Sequence, residues 1–162
     1  MLLVTDHTLL PGLGLGDLRP DSISRARRFG SDTALSDADF LLRAELARED
    51  ARTGRIGIAL PALLLFGTGE ALRAALPGLV TRLRFRDARG REEREEVRAN
   101  LLDTLDRLRA FAARHLPEAP VLAGRPADLR DRVLGEAFLD GLLRRDYSKP
   151  FAATFEIGRA HV

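Results

Sequence analysis

The chain has 162 residues, 45% hydrophobic and 31% charged, the proportions of one folded globular domain and not of a disordered or fibrous segment. Its 26 basic residues against 24 acids leave a formal charge of +2, too weak a field for a typical nucleic-acid binder. The absence of cysteine excludes disulfides, zinc–thiolate sites and thiol nucleophiles from this stretch.

Every basic residue except Lys149 is arginine, which together with the Ala and Leu content reads as a GC-rich bacterial gene. The opening MLLVTDHTLL carries Asp6 and no Lys or Arg before Arg19, so it lacks the positive start of a secretory signal. The most apolar run, Ile56 to Phe66, contains Pro61 and falls short of the roughly 20 residues that span a membrane. A cytoplasmic location without membrane contact is expected.

Leu9 to Asp17 alternates Gly12, Gly14 and Gly16 with leucines after Pro11, the pattern of a loop or short extended segment. Asp21 or Ser22 is placed to cap a short helix through Arg28, with Gly30 as its stop. Ser36 and Asp39 then form a capping pair ahead of Phe40, Leu41, Ala44, Ala47 and Ala51, which predicts a helix over 37–52 ended by Gly54. For Ile56 to Phe66 a buried strand and a helix starting at Pro61 both remain open. Gly67-Thr68-Gly69 breaks the run, and Glu70 to Leu76 reads as a helix up to Pro77. Thr81, Leu83 and Phe85 alternate with Arg82, Arg84 and Arg86 as in a strand with one wet face, ended by a turn at Asp87 to Gly90. Val97, Leu101, Leu105, Leu108 and Ala112 share one helical face and predict a helix over 91–116, closed by Pro117. Its wet face would hold the pairs Arg91–Glu95 and Glu95–Arg98. A second helix over 126–145 begins at Pro126 and carries Leu129, Val133, Leu134, Ala137, Phe138 and Leu142. The short connection Glu118 to Arg125 lets the two pack antiparallel.

The expected fold is therefore α-rich α/β or α+β, with four to five helices, one or two short strands and the pair 91–116 and 126–145 as its firmest unit. If that pair's stripe faces inward, Leu105→Ala or Phe138→Ala would each cost about 2–5 kcal/mol. Residues 156–162, Glu-Ile-Gly-Arg-Ala-His-Val, read like translation of a sequencing-library adapter. On that reading native sequence stops near Phe155, residues 1–155 form one truncated domain, and His161 carries no functional weight.

No motif assigns a cofactor or a catalytic residue. Gly12-x-Gly14-x-Gly16 lacks the spacing, preceding strand and following helix of a dinucleotide loop. Gly67, Thr68 and Gly69 are the better anion candidate, because a glycine pair before a helix exposes backbone N–H groups to the positive end of its dipole. The competing reading is a closed loop with Thr68 as N-cap and Glu70 satisfying the dipole. Arg25 and Arg82 are the cations that would complete an anion site, although the acids after Asp87 cancel much of the arginine row's field. Asp32, Asp37 and Asp39 lack a calcium-loop spacing, and His7 and His115 lack metal-ligand spacing, so no metal is expected. His115 fits instead as a last-turn cation on its helix, and Tyr147 and Lys149 fit a surface turn better than a proton relay.

Two functional classes follow. The first is a fragment of a bacterial enzyme that holds an anionic small molecule at Gly67–Gly69 with Arg25 or Arg82. The alternative is a helical module that binds a partner protein through the long pair, without catalysis. The enzyme reading needs a concavity where Thr68 and an arginine converge, and the module reading needs a contiguous apolar patch exposed on the pair.

Overall fold

The computed structural model describes residues 7–30, 32–51, 53–87, 89–115 and 126–158. Residues 1–6 of the opening on which export was judged, Ser31, Arg52, Ala88, Leu116 and Pro117, the connection Glu118 to Arg125 and the tail beyond Gly158 lie outside them.

The elements run β1 (Leu9–Gly14), a 3-10 turn (Leu15–Asp17), α1 (Pro20–Phe29), α2 (Asp37–Arg43), β2 (Ala47–Glu49), β3 (Ile56–Ala59), α3 (Leu60–Phe66) and α4 (Gly69–Ala75). They continue with β4 (Thr81–Arg86), β5 (Glu92–Val97), α5 (Leu101–His115), α6 (Pro126–Leu143) and β6 (Ala153–Gly158). One antiparallel sheet has the order β1-β3-β2, and a mixed sheet has the order β5-β4-β6 with β6 parallel to β4. This is an α+β fold with six helices and two three-stranded sheets among the described residues, which corrects the expectation of four to five helices and one or two strands.

The helix expected over 37–52 stops at Arg43. Ser36 caps it as read, accepting from the Asp39 N–H at 3.1 Å. Glu45 then takes a left-handed φ of 58°, and the N–H groups of Glu45 and Leu46 turn back onto the carbonyls of Leu42 and Leu41. These two reversed bonds form a Schellman closure, built here on glutamate instead of glycine. The following alanine, Ala47, starts β2, and Gly54 (φ 65°) serves the β2–β3 hairpin turn rather than a helix end.

Ile56 to Phe66 is both of the things left open for it. β3 runs into α3 with Pro61 in the first helical turn, where a missing N–H costs nothing. All of α3 except Leu65 is buried, because β3, α1, α4 and α5 each touch it. A helix apolar all round belongs at the centre of a core. One apolar cluster then runs from Leu18 and Ile23 through Leu63 and Leu64 to Leu83, Phe111 and Ile157, joining both sheets.

β4 is the strand expected, with Thr81, Leu83 and Phe85 inward and Arg82, Arg84 and Arg86 outward. The helix expected over 91–116 is divided. Its first part is β5, formed because the Asp87 carboxylate accepts the N–H groups of Arg89 and Arg91 (2.8 Å each) and Gly90 takes φ 81°, which folds the chain back on β4. The helical pairs expected as Arg91–Glu95 and Glu95–Arg98 are replaced: Glu95 meets Arg107 and Arg114 of α5, Arg98 meets Glu96, and the acids Glu96 and Glu92 of β5 pair across the sheet with Arg82 and Arg84. Helix α5 begins only after Asn100, whose Oδ1 accepts the Asp103 N–H at 2.9 Å. Its inward stripe is Leu101, Thr104, Leu108, Phe111 and Ala112; Leu105 is half-buried. α6 packs on α5, burying Phe138 and Leu142 while Ala137 is exposed.

Glu156, Ile157 and Gly158, set apart in the sequence as read-through, lie in β6 opposite Arg84, Phe85 and Arg86. The turn before this strand is held by Arg145, whose guanidinium donates to the carbonyls of Val80, Gly78 and Phe151 (3.3, 2.8 and 2.6 Å) and lies over the Tyr147 ring.

Candidate anion-binding cleft

The loop proposed from the sequence is turned inward. Gly67 N–H donates to Leu63 O (2.8 Å), Thr68 N–H donates to Asp17 O (2.9 Å), and the Gly67 carbonyl accepts from buried Asn100 (3.3 Å). The Thr68 hydroxyl accepts the Ala71 N–H at 3.2 Å, so it is the N-cap of α4. Gly69 opens that seven-residue helix with only the Arg73 guanidinium near its Cα. Arg25 is committed to Asp106 on α5 through both terminal guanidinium nitrogens, one at 2.9 Å. Arg82 is committed to Glu96 on the outer face of the mixed sheet. Besides Arg73, the cation beside this loop is Arg19, which the sequence did not single out, and it is neutralised by Asp21 and Asp103 at 2.6 Å each.

The outer sheet face is likewise paired, as its sequence suggested. Glu92 accepts from Arg94 (2.8 Å) and Arg84 (2.7 Å), and these hydrogen bonds hold its carboxyl at about 2. A carboxyl depressed on folding stabilises the fold above its unfolded value near 4.3 and loses that contribution as pH falls toward 2. Glu92→Gln is therefore expected to be less stable than the parent near neutrality and to lose less stability between pH 5 and 2. Urea midpoints measured across that range would read it, and parallel acid limbs for the two proteins would refute it. At the Tyr147–Lys149 junction, burial pushes the Tyr147 phenol up to about 12 while it donates to Leu142 O at 2.9 Å, a structural use.

A different concavity gathers cations without an equal number of partners. The tip of the β4–β5 hairpin and the last turn of α5 enclose a cleft of about 580 Å³ lined by Phe85, Asp87, Arg89, Arg91, Glu93, Arg114 and His115. Hairpin register sets this geometry: β4 presents Phe85 inward, β5 presents Glu93 on the same face, and α5 lays its end across both. The His115 imidazole stacks on Phe85 (centroids 4.2 Å, 14°) and tilts against Phe111 (4.7 Å). Its Nε2 is shielded from solvent and stands 3.4 Å from Glu93 Oε2 without making a hydrogen bond. Arg114 spans Glu93 and Glu95 at 3.4 and 3.0 Å. Arg89 and Arg91 are exposed, and among the described residues no acid lies within ion-pair distance of either guanidinium. Their backbone N–H groups are spent on Asp87, so side chains and not the turn backbone face a ligand.

A larger open groove, about 830 Å³, lies between Leu9–Asp17 and Asp50–Gly57. Glycines and leucines line it, and among the described residues Arg55 is its only cation, beside Asp17 and Asp50. No cluster of three His, Asp or Glu suited to a metal occurs among the described residues, and no helix there is long and apolar enough to cross a membrane.

The sequence missed the cleft, since the run Arg91 to Arg98 read as the wet face of a helix. His115 lies in the last turn of α5, the position read for it in the sequence. Its apposition to Phe85 depends on the hairpin. Residues 3–82, from before β1 to the second residue of β4, match the model of a domain of unknown function (DUF8451). No curated protein and no solved structure matches the chain.

Proposed function

We propose that the protein binds a small organic anion in the cleft between the β4–β5 hairpin tip and the end of α5. The observation that carries this reading is the pair Arg89 and Arg91, two guanidinium groups lining a concavity with no acid within ion-pair distance among the described residues. Guanidinium forks bind carboxylate and phosphate bidentately, and the volume lies within the range of small-molecule pockets. The ligand class is the one expected from Gly67–Gly69, and the site is moved because the N–H groups of Gly67 and Thr68 and the Thr68 hydroxyl are already engaged within the fold. Arg25 and Arg82 drop out of the site for the same reason, each holding its own acid.

The interaction-module reading draws less support from this geometry. Among the described residues, Val133 and Leu139 are the large apolar side chains that α6 leaves exposed, at 57% and 54%. Six residues apart, they point about 120° away from each other and form no single stripe.

The test is titration calorimetry at low ionic strength, where screening is weakest, with benzoate and phenyl phosphate as probes. The expected result is saturable binding that weakens about tenfold or more, some 1.4 kcal/mol or above, in Arg89→Ala/Arg91→Ala. Arg48→Ala/Arg55→Ala, away from the cleft, should leave it unchanged. Binding by neither probe, or equal binding by the Arg89/Arg91 variant, overturns the reading.

A further inference from the structure

Resting on that reading, we infer that the head group taken by the cleft is a phosphate monoester dianion on a small molecule, bound as His115 takes up a proton. Charge and donor count both lead there. A carboxylate can take two guanidinium groups, as Glu92 does with Arg94 and Arg84, but it presents only two oxygens in one plane and a single charge. A phosphate monoester carries three terminal oxygens on a tetrahedron and between about −1.5 and −2 charge at neutral pH, enough for two forks and a further donor.

The groups facing His115 set the charge that this ligand meets. Asp87 at the turn and Glu93 on β5 are acids; Arg89 and Arg91 at the turn and Arg114 on α5 itself are cations; Phe85 and Phe111 supply only ring faces. With neutral imidazole the cleft carries one net positive charge, and Arg114 is shared with Glu95. A proton on His115 raises that to two, matching a dianion. It also gives the shielded Nε2 a proton to donate to Glu93 Oε2, 3.4 Å away, so the acid that would repel the ligand is neutralised. Imidazole is the side chain able to change charge between about pH 5 and 8 in response to such a partner.

Three probes sharing one ring separate shape from charge: benzoate, a planar monoanion; phenyl sulfate, a tetrahedral monoanion; and phenyl phosphate, a dianion. Titrated into the full chain at pH 7.5, above the phosphate's second ionisation near 6, phenyl phosphate is expected to bind about tenfold or more tightly than either monoanion. Its binding heat should also differ between buffers of unequal ionisation enthalpy in the sense of proton uptake, and benzoate should show no such difference. His115→Gln, if folded by circular dichroism, should abolish the uptake and keep benzoate binding. If it does not fold, the three-probe ranking and the buffer dependence on the parent protein still decide. Benzoate binding within about threefold of phenyl phosphate, or phosphate binding without proton uptake, overturns this inference while leaving an anion site in place. Failure of all three probes removes the site itself. A phosphoserine hexapeptide is the fourth arm, and tighter binding by it than by phenyl phosphate overturns the small-molecule assignment.

Discussion

Gly67→Ala is expected to lower stability by about 3 kcal/mol, at the upper end of what overpacking costs, and to shift the urea midpoint accordingly. A Cβ at this position would run into the Leu63 carbonyl oxygen and stand 2.9 Å from Leu63 Cδ1 and 3.0 Å from Leu72 Cγ. None of these can move freely, since Leu63 and Leu72 lie in the core and the carbonyl accepts the Gly67 N–H. The backbone there, φ −58° and ψ 144°, suits any residue, so space and not conformation demands glycine. Gly69→Ala meets only the mobile Nη1 of Arg73 at 3.3 Å and is expected to be close to neutral. An open anion-binding loop would make the two glycines comparable, so equal effects would overturn the packing account.

Phe111→Ala is expected to cost about 3–5 kcal/mol, the range for deleting a buried aromatic ring. The ring is fully buried, lies against His115 at 4.7 Å and supports the Arg114 guanidinium at 5.2 Å. Its loss therefore removes the backing of the cleft along with the core contact, so phenyl phosphate affinity should fall with stability. Leu105→Ala is the internal control: half-buried, it should cost clearly less than Phe111→Ala, contrary to the weight its sequence position suggests. Thermal and urea unfolding of both variants measures the contrast, and equal losses would show that the inward face of α5 has been misassigned.

These two helix positions show where the sequence was readable. Periodicity found α5 because its apolar residues recur every three or four positions, and it found β4 because apolar residues alternate with arginine. It failed on β5, whose Glu93 and Glu95 point inward toward the helix and are satisfied there by Arg107 and Arg114. A strand polar on both faces has no hydropathic alternation, so ion pairs with α5 stand in for the usual apolar contact and leave no period-two mark. It failed again at Glu45, because a helix stop carried by a glutamate in the left-handed region has no residue signature. The Thr68 cap was readable as local chemistry. The cleft was not, for it brings together residues 85 and 115 across a hairpin turn.

The Arg145 clamp has a dynamic corollary. Its guanidinium lacks an acid among the described residues and instead ties the carbonyls of Gly78 and Val80, before β4, to that of Phe151, before β6, while Tyr147 braces it from below. Peeling β6 from the sheet edge strands a half-desolvated charge unless the last turn of α6 lets go at the same moment. The C-terminal strand and that turn thus form one cooperative opening unit, and fraying of the strand by itself is suppressed.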